Sequence, residues 1–124
     1  MLGRAHVHTV EVSDSIFDGV FTVADDQRGC VRYSAWTKGS TLPRQYAFVE
    51  LDGVQPLFAS TVFGAPEYAS LSLAASPTVG AGAENGSEMG AFSRENNPIK
   101  VRSLLIKYQE YLPIGLAPVL IYVT

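Results

Sequence analysis

Between His6 and Leu73 turn residues interrupt the chain about every ten positions. That spacing leaves no room for a helix of ordinary length and only enough for short strands. Val7, Val10 and Val12 lead into Asp14-Ser15-Ile16-Phe17-Asp18-Gly19, a polar–apolar–polar segment that closes on a turn dipeptide. Residues 20–23, Val-Phe-Thr-Val, are strong β-formers, and they stop at the polar turn 24–29. Residues 30–36 alternate, which predicts Val31, Tyr33 and Ala35 on one face and Arg32 and Ser34 on the other. Residues 37–44 read as a Gly/Ser/Pro loop. Further strands are expected at 46–51, 57–63 and 69–73, the first closed by Asp52-Gly53. The stretch 10–23, with inward aliphatics and Asp or Gly at its corners, has the pattern of a β-helix rung. The expected fold is mainly β, a short-strand β-solenoid or β-helix-like body, with a small β-sandwich as the alternative.

Residues 1–124 are one domain's worth of chain, with a β-rich part at 5–75 and three further pieces. A Gly-rich loop at 77–92 carries Gly80, Gly82, Gly86 and Gly90, yet also holds Met89 and Phe92, apolar anchors that a solvated linker would not need. It is therefore expected to be ordered and packed. Asn85-Gly86 is a tight-turn pair, and Glu84 and Glu88 are expected at the rim, within reach of Arg28 or Arg44. Asn97-Pro98 reads as an N-cap followed by a first-turn proline. Val101, Leu104, Leu105, Tyr108 and Leu112 then recur at helical spacing, predicting one C-terminal helix over 98–112 that covers a face or an end of the β body. A last strand is expected at 118–123.

Nine basic residues against twelve acidic ones give a net charge of −3, which disfavours a nucleic-acid partner. Charged residues are only 17% of the chain while apolar residues reach 47%, so apolar surface is expected to be covered by another copy. The single Cys30 cannot form an internal disulfide or supply a cysteine-type zinc site alone. The N-terminal residues lack the apolar core of a secretory signal, so the chain is expected to be cytoplasmic when synthesised, with an extracellular or injected assembly as the alternative later setting. The apolar run 114–123 is far short of the ~20 residues a membrane helix needs.

No catalytic constellation, cofactor motif or metal-ligand set emerges from the spacing. His6 and His8 share one strand face but lack a fixed third ligand. Asp14, Asp18, Asp25 and Asp26 sit beside glycines and polar residues as ordinary turn chemistry and do not fit a calcium loop. Gly80-Ala81-Gly82 is too short for a dinucleotide loop, and acidic residues follow it. Cys30, inside an alternating strand, reads as a packed small residue. Arg28, Arg32, Lys38 and Arg44 flank aromatic-bearing strands and suggest an interaction stripe.

Several phrases occur together: Gly29-Cys30-Val31-Arg32-Tyr33-Ser34, Gly39-Ser40-Thr41-Leu42-Pro43-Arg44-Gln45-Tyr46, Phe63-Gly64-Ala65-Pro66-Glu67-Tyr68-Ala69-Ser70-Leu71, Gly82-Ala83-Glu84-Asn85-Gly86-Ser87-Glu88-Met89-Gly90-Ala91-Phe92 and Tyr108-Gln109-Glu110-Tyr111-Leu112-Pro113. Taken together, from about Val10 to Thr124, they resemble the C-terminal segment of large bacterial β-helix-containing proteins associated with phage-tail-like contractile injection clusters. The resemblance implies a structural or attachment role and supplies no catalytic residues. Such relatives are longer at the N-terminal side, so this chain is expected to be a stand-alone homologue or one excised domain.

The expected function is thus a non-enzymatic, self-associating structural or interaction module, with a trimer as the first guess and other tail-like assembly proteins as possible partners. Neither nucleic acid nor membrane is expected to bind. Candidate interaction residues are Arg32, Trp36, Arg44, Glu84, Glu88, Met89 and Phe92. The alternative is a carbohydrate-binding or carbohydrate-active β-helix protein using exposed Trp36 and Tyr33 as stacking platforms.

Overall fold

A computed structural model describes residues 2–53, 57–72 and 74–119. Its strands are short: β1 (Ala5–Val7), β2 (Val10–Ser13), β3 (Ile16–Phe17), β4 (Phe21–Val23), β5 (Gly29–Arg32), β6 (Ala35–Thr37), β7 (Arg44–Tyr46) and β8 (Val49–Leu51). Every ladder between them is parallel. They form three sheets, ordered β1-β4, β2-β5-β7 and β3-β6-β8. The chain therefore visits the sheets in a fixed cycle, and its third visit to the first sheet shrinks to the single bridge Thr22–Thr41. The protein is mainly β, with one long helix near the C-terminus.

Parallel register places equivalent residues in columns about 4.8 Å apart. One column runs Val12, Val31 and Gln45; others run Ile16, Ala35, Val49 and Phe17, Trp36, Glu50. Phe17, Phe21, Val23, Val31, Trp36 and Leu42 make one buried cluster, with Ala5, Val7, Val10 and Val12 packed half-buried against it. Ile16 and Ala35 point the other way, into a second cluster with Val79 and Met89. The third sheet is thus apolar on both faces, as a parallel sheet covered on both sides must be. Each large apolar side chain fully removed from water contributes roughly 1.5–3 kcal/mol.

The corners decide where strands end. Residues 30–36 and 46–51 do not form single strands: the chain turns at Tyr33 and at Ala47, where φ is 47° in both, and the equivalent position Asp14 has φ 52°. These left-handed residues stack, with Asp14 N donating to the Arg32 carbonyl at 3.2 Å and Tyr33 N to the Tyr46 carbonyl at 3.0 Å. A break after Tyr33 reverses the expected alternation, so Ser34 points inward and is fully buried. Its Oγ accepts from Ser15 N at 3.1 Å and donates to the Arg32 carbonyl at 2.6 Å. The next corner repeats the device. Thr37 Oγ1 accepts from Gly19 N at 2.9 Å, and Ser40 Oγ accepts from Phe21 N at 3.1 Å. Hydroxyls thus satisfy backbone N–H groups that the interrupted ladders leave free. Gly29, at φ 95°, passes so close to the Val10 carbonyl that any Cβ there would collide with it.

Downstream, among the described residues, the strands expected at 57–63 and 69–73 reduce to two isolated bridges, Phe58–Leu71 and Ser60–Tyr68. Phe63 is 88% exposed at the tip of this excursion. Two helices follow, α1 (Pro77–Gly80) and α2 (Asn97–Tyr111). The cap of α2 is Asn96 in the left-handed region rather than Asn97, which is the first helical residue, and no side chain caps the helix. None of its residues is buried, which overturns the expectation that α2 covers a face or an end of the β body. The strand expected at 118–123 lies mostly outside the described residues; Pro118 and Val119 are in no strand. No helix among the described residues is long and apolar enough to cross a membrane.

Candidate interaction site

The outer face of the β3-β6-β8 sheet is the best-built surface feature, because a second segment is folded onto it. Ser76 caps α1, whose first residue is Pro77, and Val79 is carried onto Ile16 and Ala35. Met89 returns to the same place, 2% exposed, and its N–H donates to the Val79 carbonyl at 2.9 Å. Between them Ala83 N donates to the Ser87 carbonyl at 3.0 Å, while Asn85 Oδ1 accepts from Ser87 N at 2.9 Å. The Asn-Gly pair makes the expected tight turn, and the Gly-rich segment is packed despite its composition.

Asp14 ties this segment to the strand corner. Its carboxylate accepts from Glu84 N at 2.8 Å, and its carbonyl accepts from Gly90 N at 2.8 Å. A charge-assisted bond to a backbone N–H is stronger than a neutral one. Gly90, at φ 103°, lets the chain pass Ile16 closely enough for that bond. In the sequence alone Asp14 reads only as a turn residue. The detectable signal was the repeat Ser15-Ile16-Phe17 and Ser34-Ala35-Trp36, nineteen residues apart, which sets the register and identifies Asp14 as a corner.

The expected interaction residues do not converge. Trp36 is 4% exposed and stacks on the Phe48 ring at 4.7 Å, so it is a core residue and not a surface platform. The carbohydrate reading loses its main aromatic with it. Met89 is core as well, and Phe92 is half-buried. Arg32 and Arg44 lie exposed on the outward face of the β2-β5-β7 sheet, in columns Ser13, Arg32, Tyr46 and Glu11, Cys30, Arg44. Tyr33 and Tyr46 meet edge to face there at 5.6 Å. Desolvation, then Tyr46 beside it, raises the Tyr33 phenol above its ordinary value. Arg28 stands apart, paired with Asp25 at 3.6 Å.

Glu84 is exposed, engaged through its backbone by Asp14 and not through its carboxylate by an arginine. Glu88 is half-buried and accepts from Asn97 Nδ2 at 3.4 Å. Its burial raises the carboxyl above the usual range, and the Asn97 bond opposes that shift. His6 and His8 are both exposed. Among the described residues no three His, Cys, Asp or Glu side chains group to hold a metal ion.

Two surface features were not anticipated. One is a groove of about 400 Å³ beside the covered sheet face, with Asp18, Glu50 and Asp52 around it and Leu51, Leu57 and Val79 among its apolar walls. The other is α2 itself, where Ile99, Leu104, Ile106, Tyr108 and Tyr111 are exposed along one helix. No family model matches the chain, and neither a curated protein nor a solved structure matches it.

Proposed function

We propose that this chain is a non-enzymatic structural or interaction module that self-associates, with a trimer as the first expected form. The observation that carries the proposal is α2: fifteen residues, apolar on several sides, with none of them buried. An isolated helix of that length is marginal in water, and one with apolar residues around most of its circumference belongs in a covered environment. A cyclic oligomer gives every copy the same cover.

The body in this proposal is a short β-solenoid. Cyclic visits to three parallel sheets, stacked left-handed corners and hydroxyl-bridged turns all support it. Its two ends differ. The inward columns finish on polar Gln45 and Glu50 at β7 and β8, under a half-exposed Phe48, whereas β1 and β2 present half-buried Val7, Val10 and Val12. Polar terminal positions discourage further strands from stacking there. The sequence resemblance to tail-like assembly proteins fits a part of this kind. Light scattering after size exclusion tests it: an oligomeric mass is expected, and a 13.4 kDa species across micromolar concentrations would overturn it.

A further inference from the structure

We infer that α2 of one copy docks in the acidic groove of a second copy, so that the groove and the helix are the two halves of one interface. The inference rests on the self-association proposed above and specifies its surface. Charge is divided unevenly along the chain. Residues 1–93 carry five basic and ten acidic side chains, whereas residues 94–124 carry four basic and two acidic. A body that is net acidic and a helical segment that is net basic attract between copies.

The local patterns agree with that division. Lys100, Leu104, Lys107 and Tyr111 follow one another at helical spacing and share a face of α2. All four are exposed, and Lys100 is held to Glu95 at the surface at 3.2 Å. The groove is complementary: Asp18, Glu50 and Asp52 surround half-buried, apolar Val49, Leu51 and Leu57. Its volume of about 400 Å³ suits the side chains of about two helical turns, the span from Leu104 to Tyr111. Leu104 and Tyr111 would meet the apolar walls while Lys107 reaches the carboxylates. Each copy offers one helix and one groove, so a closed ring or a reciprocal pair leaves neither unfilled.

Charge reversal tests the pairing, because Lys107 and Asp52 are both exposed and their replacement leaves the β core intact. Sedimentation equilibrium on the full chain measures self-association, with circular dichroism as the check on folding. Lys107→Glu and Asp52→Lys are each expected to weaken association about tenfold, and the double variant to recover most of the loss. Leu104→Ser is expected to weaken it as well. An oligomer unchanged by all of these variants would overturn the groove interface while leaving self-association standing. A wild-type monomer at every concentration would overturn both. Binding of the chain to phosphatidylserine vesicles, lost in Lys107→Glu without any change in mass, would assign α2 to a lipid surface and overturn the inference.

Discussion

Val31 in β5 and Ile106 in α2 are both β-branched aliphatic residues, yet the first is wholly buried and the second is 52% exposed. Position in the architecture accounts for the difference. In the strand stack a parallel register repeats an inward column from one strand to the next, so Val31 lies between Val12 and Gln45 and beside the Phe17–Trp36 column. The stack buries its apolar residues within one chain. In α2 the interior residues satisfy their backbone within the helix, but no side chain is fully buried, and only one side, with Pro98, Val101 and Leu105, is half-buried. A regular backbone does not by itself bury anything; burial comes from what packs against it.

Substitutions should separate the two regions sharply. Val31→Asp places an unpaired charge in the core and is expected to abolish the folded state, a cost above about 4 kcal/mol. Circular dichroism in a urea series would show the loss. Met89→Asp breaks the second cluster, where the covering segment meets the sheet, and is expected to cost 2 kcal/mol or more on the order-of-magnitude scale for buried charges. A smaller loss would mean that the segment sits loosely on the sheet.

Asp14→Ala removes the carboxylate that holds Glu84 N and is expected to cost about 1–2 kcal/mol. Amide exchange should quicken at 83–90 and stay slow in the strands. Asp14→Asn, which keeps an acceptor and tolerates the left-handed region, should restore part of the protection.

Glu88 gives a pH-dependent contrast. Its carboxyl is raised in the folded state, so folding favours the protonated form; stability is fullest below the ordinary carboxyl value and falls as pH rises through the raised one. Glu88→Gln should flatten that fall and leave the variant slightly more stable than the parent at neutral pH. The side chain is partly solvated, so the gain should stay well under ~1 kcal/mol. The smallest effect is expected in α2, where Ile106→Ser should shift the stability of the dilute chain by no more than about 0.5 kcal/mol.

Much of the strand stack is visible in the sequence, because turn residues and β-branched runs are local signals. Corners at Tyr33 and Ala47 are not, since neither residue type favours positive φ; the left-handed region there costs roughly 1–2 kcal/mol, met by bonds between successive strands. Missing the Tyr33 corner also misplaces Ser34, because one break in the alternation exchanges inside for outside. Trp36 misleads for a related reason: a large aromatic beside a Lys-Gly turn looks exposed until the register sets it over Phe17. At 57–63 β-formers are present, but among the described residues no neighbouring strand continues the ladder and only isolated bridges survive. In the candidate site, Met89 as an anchor was legible from its isolation among glycines. The Asp14–Glu84 bond was not, because it joins positions seventy residues apart. The spacing of α2 correctly locates a helix but says nothing about whether a partner surface is present in the same chain.

Hydrogen exchange read peptide by peptide at several protein concentrations tests most directly whether α2 gains its cover only by assembly. Amides of β3, β5 and β6 and of the 79–89 segment should be protected at every concentration. Those of α2 should exchange rapidly in dilute solution and become protected as the concentration passes through the self-association range. Protection of α2 that is already complete in the dilute monomer would contradict the account, because the helix would then be covered within its own chain.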